Sequence, residues 1–246
     1  MTVPALPAPA ALLLDLDGTL LDIAPTPDAV VVPPGLLPSL RRLRELFGDA
    51  VAVVSGRPIA QIEALLEAVP YAVAGEHGGA IRHAPGAAPE RPDLPALPEG
   101  WVEQAGRLAA GWQGVLLERK AHGFVLHYRL EPAAGPALHQ GLRSILASDA
   151  GLESDAGRFT LMPAHMAWEV KPRAADKGRA VHRLMARPPF AGRVPVYVGD
   201  DVTDEDGIRA AQELGGLGLR VQERFGDAAG VRAWLTALAS TPTAAG

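Results

Sequence analysis

The stretch Leu12-Leu13-Leu14-Asp15-Leu16-Asp17-Gly18-Thr19 decides how the chain is read. Its apolar run breaks off in two acids one residue apart and a glycine, the pattern of a buried strand that runs straight into a turn. Side chains alternate along an extended chain, so Asp15 and Asp17 can share a side at the strand's C-terminal end, where open α/β sheets bind ligands. Two carboxylates meeting there need a cation, and all-oxygen ligation suits Mg²⁺. Such a pair can also divide labour, one carboxylate attacking and the other moving protons. A surface Asp-x-Asp turn would have the same local sequence.

Outward from this stretch, a connection containing Pro25, Pro27, Pro33 and Pro34 leads to Leu36, Leu37, Leu40, Leu43 and Leu46, spaced as one face of a helix ending near Gly48. Ala50 to Val54 predicts a strand, broken by Ser55-Gly56-Arg57-Pro58. Ile59 to Val69 predicts a helix and Tyr71 to Ala74 a further strand, ending in Gly75-Glu76-His77-Gly78-Gly79. This alternation predicts an α/β fold with a doubly wound parallel sheet. From about Ile81 the pattern changes, and His83 to Gly100 reads as a Pro/Ala/Gly-rich linker. Then come a helix over Trp101 to Trp112, strands over Val115 to Lys120 and Phe124 to Arg129, a helix over Pro136 to Ala147, and extended runs near Gly157 to Met162 and Met166 to Val170. That order describes a small α+β unit inserted into the first. The first pattern resumes with a helix from Asp176-Lys177-Gly178 to Met185 and a strand over Val194 to Val198. A helix over Thr203 to Leu214, a strand over Gly218 to Val221 and a helix over Val231 to Leu238 complete it, with Ser240 to Gly246 as a frayed tail. The expected division is a core of residues 1–80 and 171–246 around an insert of residues 81–170.

Composition narrows the function. With 48% apolar and 21% charged residues the chain is globular in type, and its formal charge of −5 lacks the basic footprint that nucleic acid or an anionic membrane requires. Absence of cysteine rules out disulfides, zinc-thiolate sites and thiol catalysis. The N-terminal apolar segment has no Lys or Arg before it and merges into Asp15, so it does not read as a signal peptide, and no apolar run reaches spanning length; a cytoplasmic protein is expected. Only three of the 23 basic residues are lysine, Lys120, Lys171 and Lys177, in a chain that otherwise uses Arg.

Asp15/Asp17, Ser55-Gly56-Arg57, Lys177 and Gly199-Asp200-Asp201-Val202-Thr203-Asp204 all fall at strand ends or helix starts of the expected sheet, so they can converge on one edge. In this order the motifs resemble those of the haloacid dehalogenase (HAD) superfamily. The resemblance implies a HAD-like hydrolase core in which Asp15 is a nucleophile that forms an aspartyl-phosphate, and Asp17, by its offset, the general acid and base. It implies Mg²⁺ held by Asp15, the backbone carbonyl of Asp17, and Asp200. Ser55 would bind a phosphoryl oxygen, or merely cap the helix that follows. Lys177 would hold Asp15 and add positive charge at a helix N-terminus. Asp204 would orient Lys177 or a metal-bound water, the alternative being a dipole-favoured surface acid.

Further matches span core and insert: Gly75-Glu76-His77-Gly78, Glu118-Arg119-Lys120, His127-Tyr128-Arg129, Trp168-Glu169-Val170-Lys171-Pro172 and Gly199-Asp200-Asp201-Val202-Thr203-Asp204-Glu205-Asp206 are similar to the pattern of trehalose-6-phosphate phosphatases. This resemblance implies sugar-phosphate contacts at Glu118, Lys120, Arg129 and Glu169, with Arg57, Glu76 and His77 as further candidates. Alternation alone puts Glu118 with Lys120, and His127 with Arg129, on one face of their strands, so one side of the hairpin is polar. That side is either solvated or aimed at sugar hydroxyls. The chain departs from a common form of the hairpin at Arg119 and Gly123. The implied function is Mg²⁺-dependent hydrolysis of trehalose 6-phosphate to trehalose and phosphate, in trehalose biosynthesis, with the insert acting as a cap or lid. A phosphatase for sucrose 6-phosphate or mannosyl-3-phosphoglycerate, or a non-catalytic sugar-phosphate-binding regulator, are the alternatives. A monomer acting on a small sugar phosphate, without nucleic-acid or membrane partners, is expected.

Overall fold

The structure, a computed structural model, describes residues 5–26, 29–148, 155–164 and 166–241; Pro27 of the proline-rich connection and positions 242–246 of the expected tail lie outside these. In chain order the elements begin with β1 (Ala10–Leu14), α1 (Leu36–Leu46), β2 (Val51–Val54), α2 (Ile59–Leu66), β3 (Ala72–Gly75) and β4 (Ala80–Arg82). There follow α3 (Glu99–Ala110), β5 (Leu116–Arg119), β6 (Phe124–His127), α4 (Gly135–Ser148), the single turn α5 (Asp155–Arg158), β7 (Phe159–Ala164) and β8 (Ala167–Pro172). The chain continues with α6 (Lys177–Met185), β9 (Val194–Gly199), α7 (Asp204–Glu213), β10 (Leu217–Arg220), the short α8 (Val221–Arg224) and α9 (Ala228–Ala239).

Two compact units result, residues 1–92 with 176–246, and residues 93–175. The first is built on a six-stranded sheet in the order β10-β9-β1-β2-β3-β4, parallel throughout except for β4. Successive residues of β1 enter different cores. Leu12 and Leu14 pack with α1, α2 and α9, while Ala11 and Leu13 pack with the α6 and α7 side. A strand buried on both faces must be apolar at every position, which accounts for the uninterrupted run that precedes Asp15. β1 lies between β9 and β2, with Leu14 opposite both Val198 and Val53, so the chain leaves it at the middle of the sheet's C-terminal edge.

The antiparallel strand β4 was not expected. It follows a turn in which Glu76, His77 and Gly78 have φ of 53°, 54° and 93°, a left-handed path that reverses the chain onto β3. A further bridge joins Ile81 to Glu90. Residues 81–92, expected in the insert, thereby belong by contact to the first unit.

The second unit has a four-stranded antiparallel sheet in the order β5-β6-β8-β7, with α3 and α4 packed on one face. Trp101, Phe124, Leu126, Phe159 and Val170 fill that core. Two local features explain the hairpin's unusual residues. A Cβ at Gly123 would lie 2.4 Å from the Val170 carbonyl oxygen of β8, so the turn passes too close for any side chain. Arg119 forms a forked pair with Glu99 of α3, donating at 2.8 and 2.7 Å.

Candidate active site

Where β1 ends, Asp15 donates its backbone N–H to the Val198 carbonyl of β9 at 2.9 Å, fixing the start of the turn beside the end of that strand. Its carboxylate accepts from Lys177 Nζ at 2.7 Å, although 162 residues separate the two. Lys177 opens α6, whose N-cap is Asp176, accepting from the Arg179 N–H at 2.7 Å. The same ammonium donates to Asp204 Oδ1 at 2.7 Å. Asp204, in the first turn of α7, is completely buried and further engaged: Tyr197 O–H donates to Oδ1 at 2.6 Å, and the Asp200 and Asp201 N–H groups donate to Oδ2 at 3.2 and 3.0 Å. Four donors on one carboxylate make Asp204 a scaffold: it holds Lys177 on one side and the loop bearing Asp200 on the other.

Asp15, Asp200 and Asp204 each bring a carboxylate oxygen within 4.8 Å of the other two, a group that could hold a metal ion. Thr19 donates to Asp200 Oδ1 at 3.3 Å. The turn between Asp15 and Thr19 passes so near that a Cβ at Gly18 would sit 2.1 Å from Asp200 Oδ2, and Gly18 has a φ of +83°. Burial first, and then Asp204, push the Asp15 carboxyl well above its ordinary range, although Lys177 opposes this. Asp200 is pushed up to about 6 by burial and by its Asp204 and Asp201 neighbours. Burial alone would lower the Lys177 pKa, but Asp15 and Asp204 outweigh it and raise it, so the ammonium stays charged. One ammonium thus faces three carboxylates. Asp204 is satisfied by its four donors, whereas burial first and then neighbouring carboxylates raise the pKa values of Asp15 and Asp200, so a cation beside them would favour their ionised forms.

Asp17 is held differently. Arg57 grips it as a fork, Nε donating to Oδ2 at 2.6 Å and Nη2 to Oδ1 at 2.8 Å. Ser55 does not cap α2, whose N-cap is Pro58; its Oγ accepts the Arg57 N–H at 3.1 Å and shapes the loop that carries the guanidinium. Glu76 and His77 donate their backbone N–H groups to the carbonyls of Arg57 and Ser55, and a Cβ at Gly56 would meet the His77 ring at 2.6 Å. Both side chains are buried, with Glu76 accepting from Arg91 at 3.1 Å. They therefore back the Ser55–Arg57 loop.

In the second unit, register places Glu118, Val125, Glu169 and Met162 in one row across β5, β6, β8 and β7. Lys120 donates to Glu169 at 2.8 Å, and Glu118 lies 2.8 Å from His127 Nε2. The hydrogen bond to His127 holds the Glu118 carboxyl below its usual range. Arg129 lies partly buried two residues beyond β6. The sequence-predicted residues thus form two constellations: Asp15, Asp17, Ser55, Arg57, Glu76, His77, Lys177, Asp200 and Asp204 in the first unit, and Glu118, Lys120 and Glu169 in the second. Residues missed by sequence reasoning are Tyr197, concealed in a run that reads simply as an apolar strand, and Gln222, whose Nε2 donates to the Asp200 carbonyl at 3.0 Å.

Comparison with known proteins agrees with this geometry. The model of the Trehalose-phosphatase family matches residues 13–228. A probable trehalose-phosphate phosphatase of Sinorhizobium fredii is 40% identical over 86% of this chain and 77% of its own length. The trehalose-6-phosphate phosphatase of Escherichia coli is 34% identical over 89% of this chain and 79% of its own. In fold, the C-terminal domain of Candida albicans trehalose-6-phosphate phosphatase superposes with a TM-score of 0.75 at 21% identity, covering 94% of this chain and 92% of that one.

Proposed function

The chain belongs to the trehalose-phosphatase family, and on that premise we propose that it hydrolyses trehalose 6-phosphate to trehalose and phosphate, in the cytoplasm, as a step of trehalose synthesis. The observation that carries this reading is the Lys177 clamp, which joins Asp15 at the end of β1 to Asp204 on α7 beside the under-neutralised Asp200. Asp15 is the proposed nucleophile. One of its oxygens attacks phosphorus while the bond from phosphorus to the sugar oxygen breaks, and Asp17 delivers a proton to that oxygen as trehalose leaves. Asp17 then takes a proton from water, which attacks the aspartyl-phosphate, breaks its bond to Asp15 and releases phosphate. Arg57 takes one lone pair on each Asp17 oxygen and leaves a second on each for this proton traffic.

The donor set fits Mg²⁺: two hard carboxylates, Asp15 and Asp200, lack full compensation, and the Asp17 backbone carbonyl is the third protein ligand in this reading. When bound, the ion neutralises phosphoryl oxygens and lets an anionic nucleophile approach an anionic ester. Lys177 orients Asp15 and opposes the rise in its pKa, Ser55 offers a hydroxyl to the phosphoryl group, and Asp204 holds Lys177. Glu118, Lys120, Arg129 and Glu169 supply donors and acceptors for sugar hydroxyls, with the insert as lid over the bound ester. The deciding experiment is phosphate release from trehalose 6-phosphate, sucrose 6-phosphate and mannosyl-3-phosphoglycerate, with and without chelator. Activity that needs a divalent ion and favours trehalose 6-phosphate by at least tenfold in kcat/KM is expected; equal rates on all three esters would overturn the substrate assignment.

A further inference from the structure

We propose that His127 is a positioning residue for sugar recognition: it fixes the Glu118 carboxylate in place. The proposal rests on the reading above, in which Glu118 and Glu169 bind the sugar. It is carried by the arrangement of groups on one face of the second sheet. Glu118 pairs laterally with Val125, and Val125 with Glu169, so two carboxylates occupy the same row with one valine between them. Lys120, at the end of the same hairpin, is bonded to Glu169 at 2.8 Å.

His127 approaches Glu118 from the side. It stands opposite Leu116, and so reaches Glu118 along the diagonal, with Nε2 2.8 Å from Oε2. An ionised carboxylate only accepts, so Nε2 carries the hydrogen of that bond. Imidazole thereby engages Oε2 and sets the direction of Oε1, the atom we assign to a sugar hydroxyl. The face then presents the Glu118 and Glu169 carboxylates at fixed positions. Preorganisation of this kind improves binding by removing the cost of ordering the side chain when the ligand arrives. Its effect belongs in sugar recognition and spares the phosphoryl chemistry, which uses none of these groups.

The test uses the full chain with Mg²⁺ and two esters, trehalose 6-phosphate and p-nitrophenyl phosphate, which has no sugar. His127→Ala should raise KM for trehalose 6-phosphate about tenfold, the scale of one lost hydrogen bond to a charged group, with kcat and the p-nitrophenyl phosphate rate changing less than about threefold. His127→Gln, whose amide N–H reaches the same region as Nε2, should recover most of the lost affinity. The double variant with Glu118→Ala should bind trehalose 6-phosphate no worse than Glu118→Ala alone, because the histidine acts through that carboxylate. Wild-type KM in His127→Ala beside a raised KM in Glu118→Ala overturns this proposal and leaves the sugar-contact assignment standing. Wild-type KM in Glu118→Ala overturns that assignment itself. Equal losses on both esters, or no recovery with Gln, would reduce His127 to a structural residue and overturn the proposal.

Discussion

The two polar constellations of this molecule are built on opposite electrostatic plans. On the second sheet, Glu118 is bonded to His127 and Glu169 to Lys120, all within the same small unit. At the C-terminal edge of the first sheet, Asp15, Asp200 and Asp204 crowd together, and one ammonium, 162 residues beyond Asp15, bonds Asp15 and Asp204. Locally matched charges are at rest without a ligand. The surplus at Asp15 and Asp200, which shows as elevated carboxyl pKa values, is sustained by burial and by a scaffold that prevents the carboxylates from separating. In the function proposed above, the region that retains such a conflict takes the cation and the region that resolves it takes the sugar hydroxyls.

The contrast can be broken most forcefully at its centre. Asp15→Asn removes the proposed nucleophile while preserving shape, and phosphate release should fall by at least ~10⁴-fold, on the scale of nucleophile removal in other covalent enzymes. Retained binding of trehalose 6-phosphate, followed by calorimetry, would locate the loss in chemistry. Lys177→Met should cost about 3–5 kcal/mol of unfolding free energy in urea titrations, because buried Asp15 and Asp204 lose their shared partner.

The pH dependence of the chelated protein sharpens the claim of surplus charge. Asp200 moves from 3.8 to about 6, so between these values the native state holds its proton more tightly than the unfolded chain. Stability of the metal-free protein should therefore fall as pH rises through that window, and Asp200→Asn should flatten this decline and raise the melting temperature above pH 6. If Asp200→Asn leaves the profile unchanged, the charges are already balanced. Smallest is Tyr197→Phe, which takes one donor from Asp204 while Lys177 and two backbone N–H groups remain; about 1–2 kcal/mol of stability should be lost in the same titrations.

What could be read before the structure follows the same division between dense and sparse signals. The doubly wound sheet and the α+β insert were legible because β1 must be apolar on both faces and because helices such as α1 repeat Leu36, Leu40 and Leu43 toward one core. Strand β4 was not, since three residues are too few to show alternation and its direction is set by the backbone path at Glu76 to Gly78. At the site, the acids that punctuate strand ends were legible as a set. Tyr197 was hidden, as an aromatic ring suits a strand interior and only the three-dimensional neighbour reveals its hydroxyl's use. Arg57 was read toward substrate, but the fork it makes with Asp17 joins residues 40 apart and could not be inferred from either alone.

The position of β1 also bears on synthesis at the ribosome. Its neighbour on one side, β2, emerges soon afterwards, whereas β9, which places Val196 opposite Leu12, is among the last strands to be translated. At ordinary elongation rates the delay is on the order of ten seconds or more. Throughout that interval the nascent chain carries a sticky, leucine-rich hydrogen-bonding edge with no mate, while residues 93–175, whose four strands are contiguous in translation order, can already have collapsed. Chaperone capture should therefore peak on the N-terminal segment and end once β9 clears the exit tunnel.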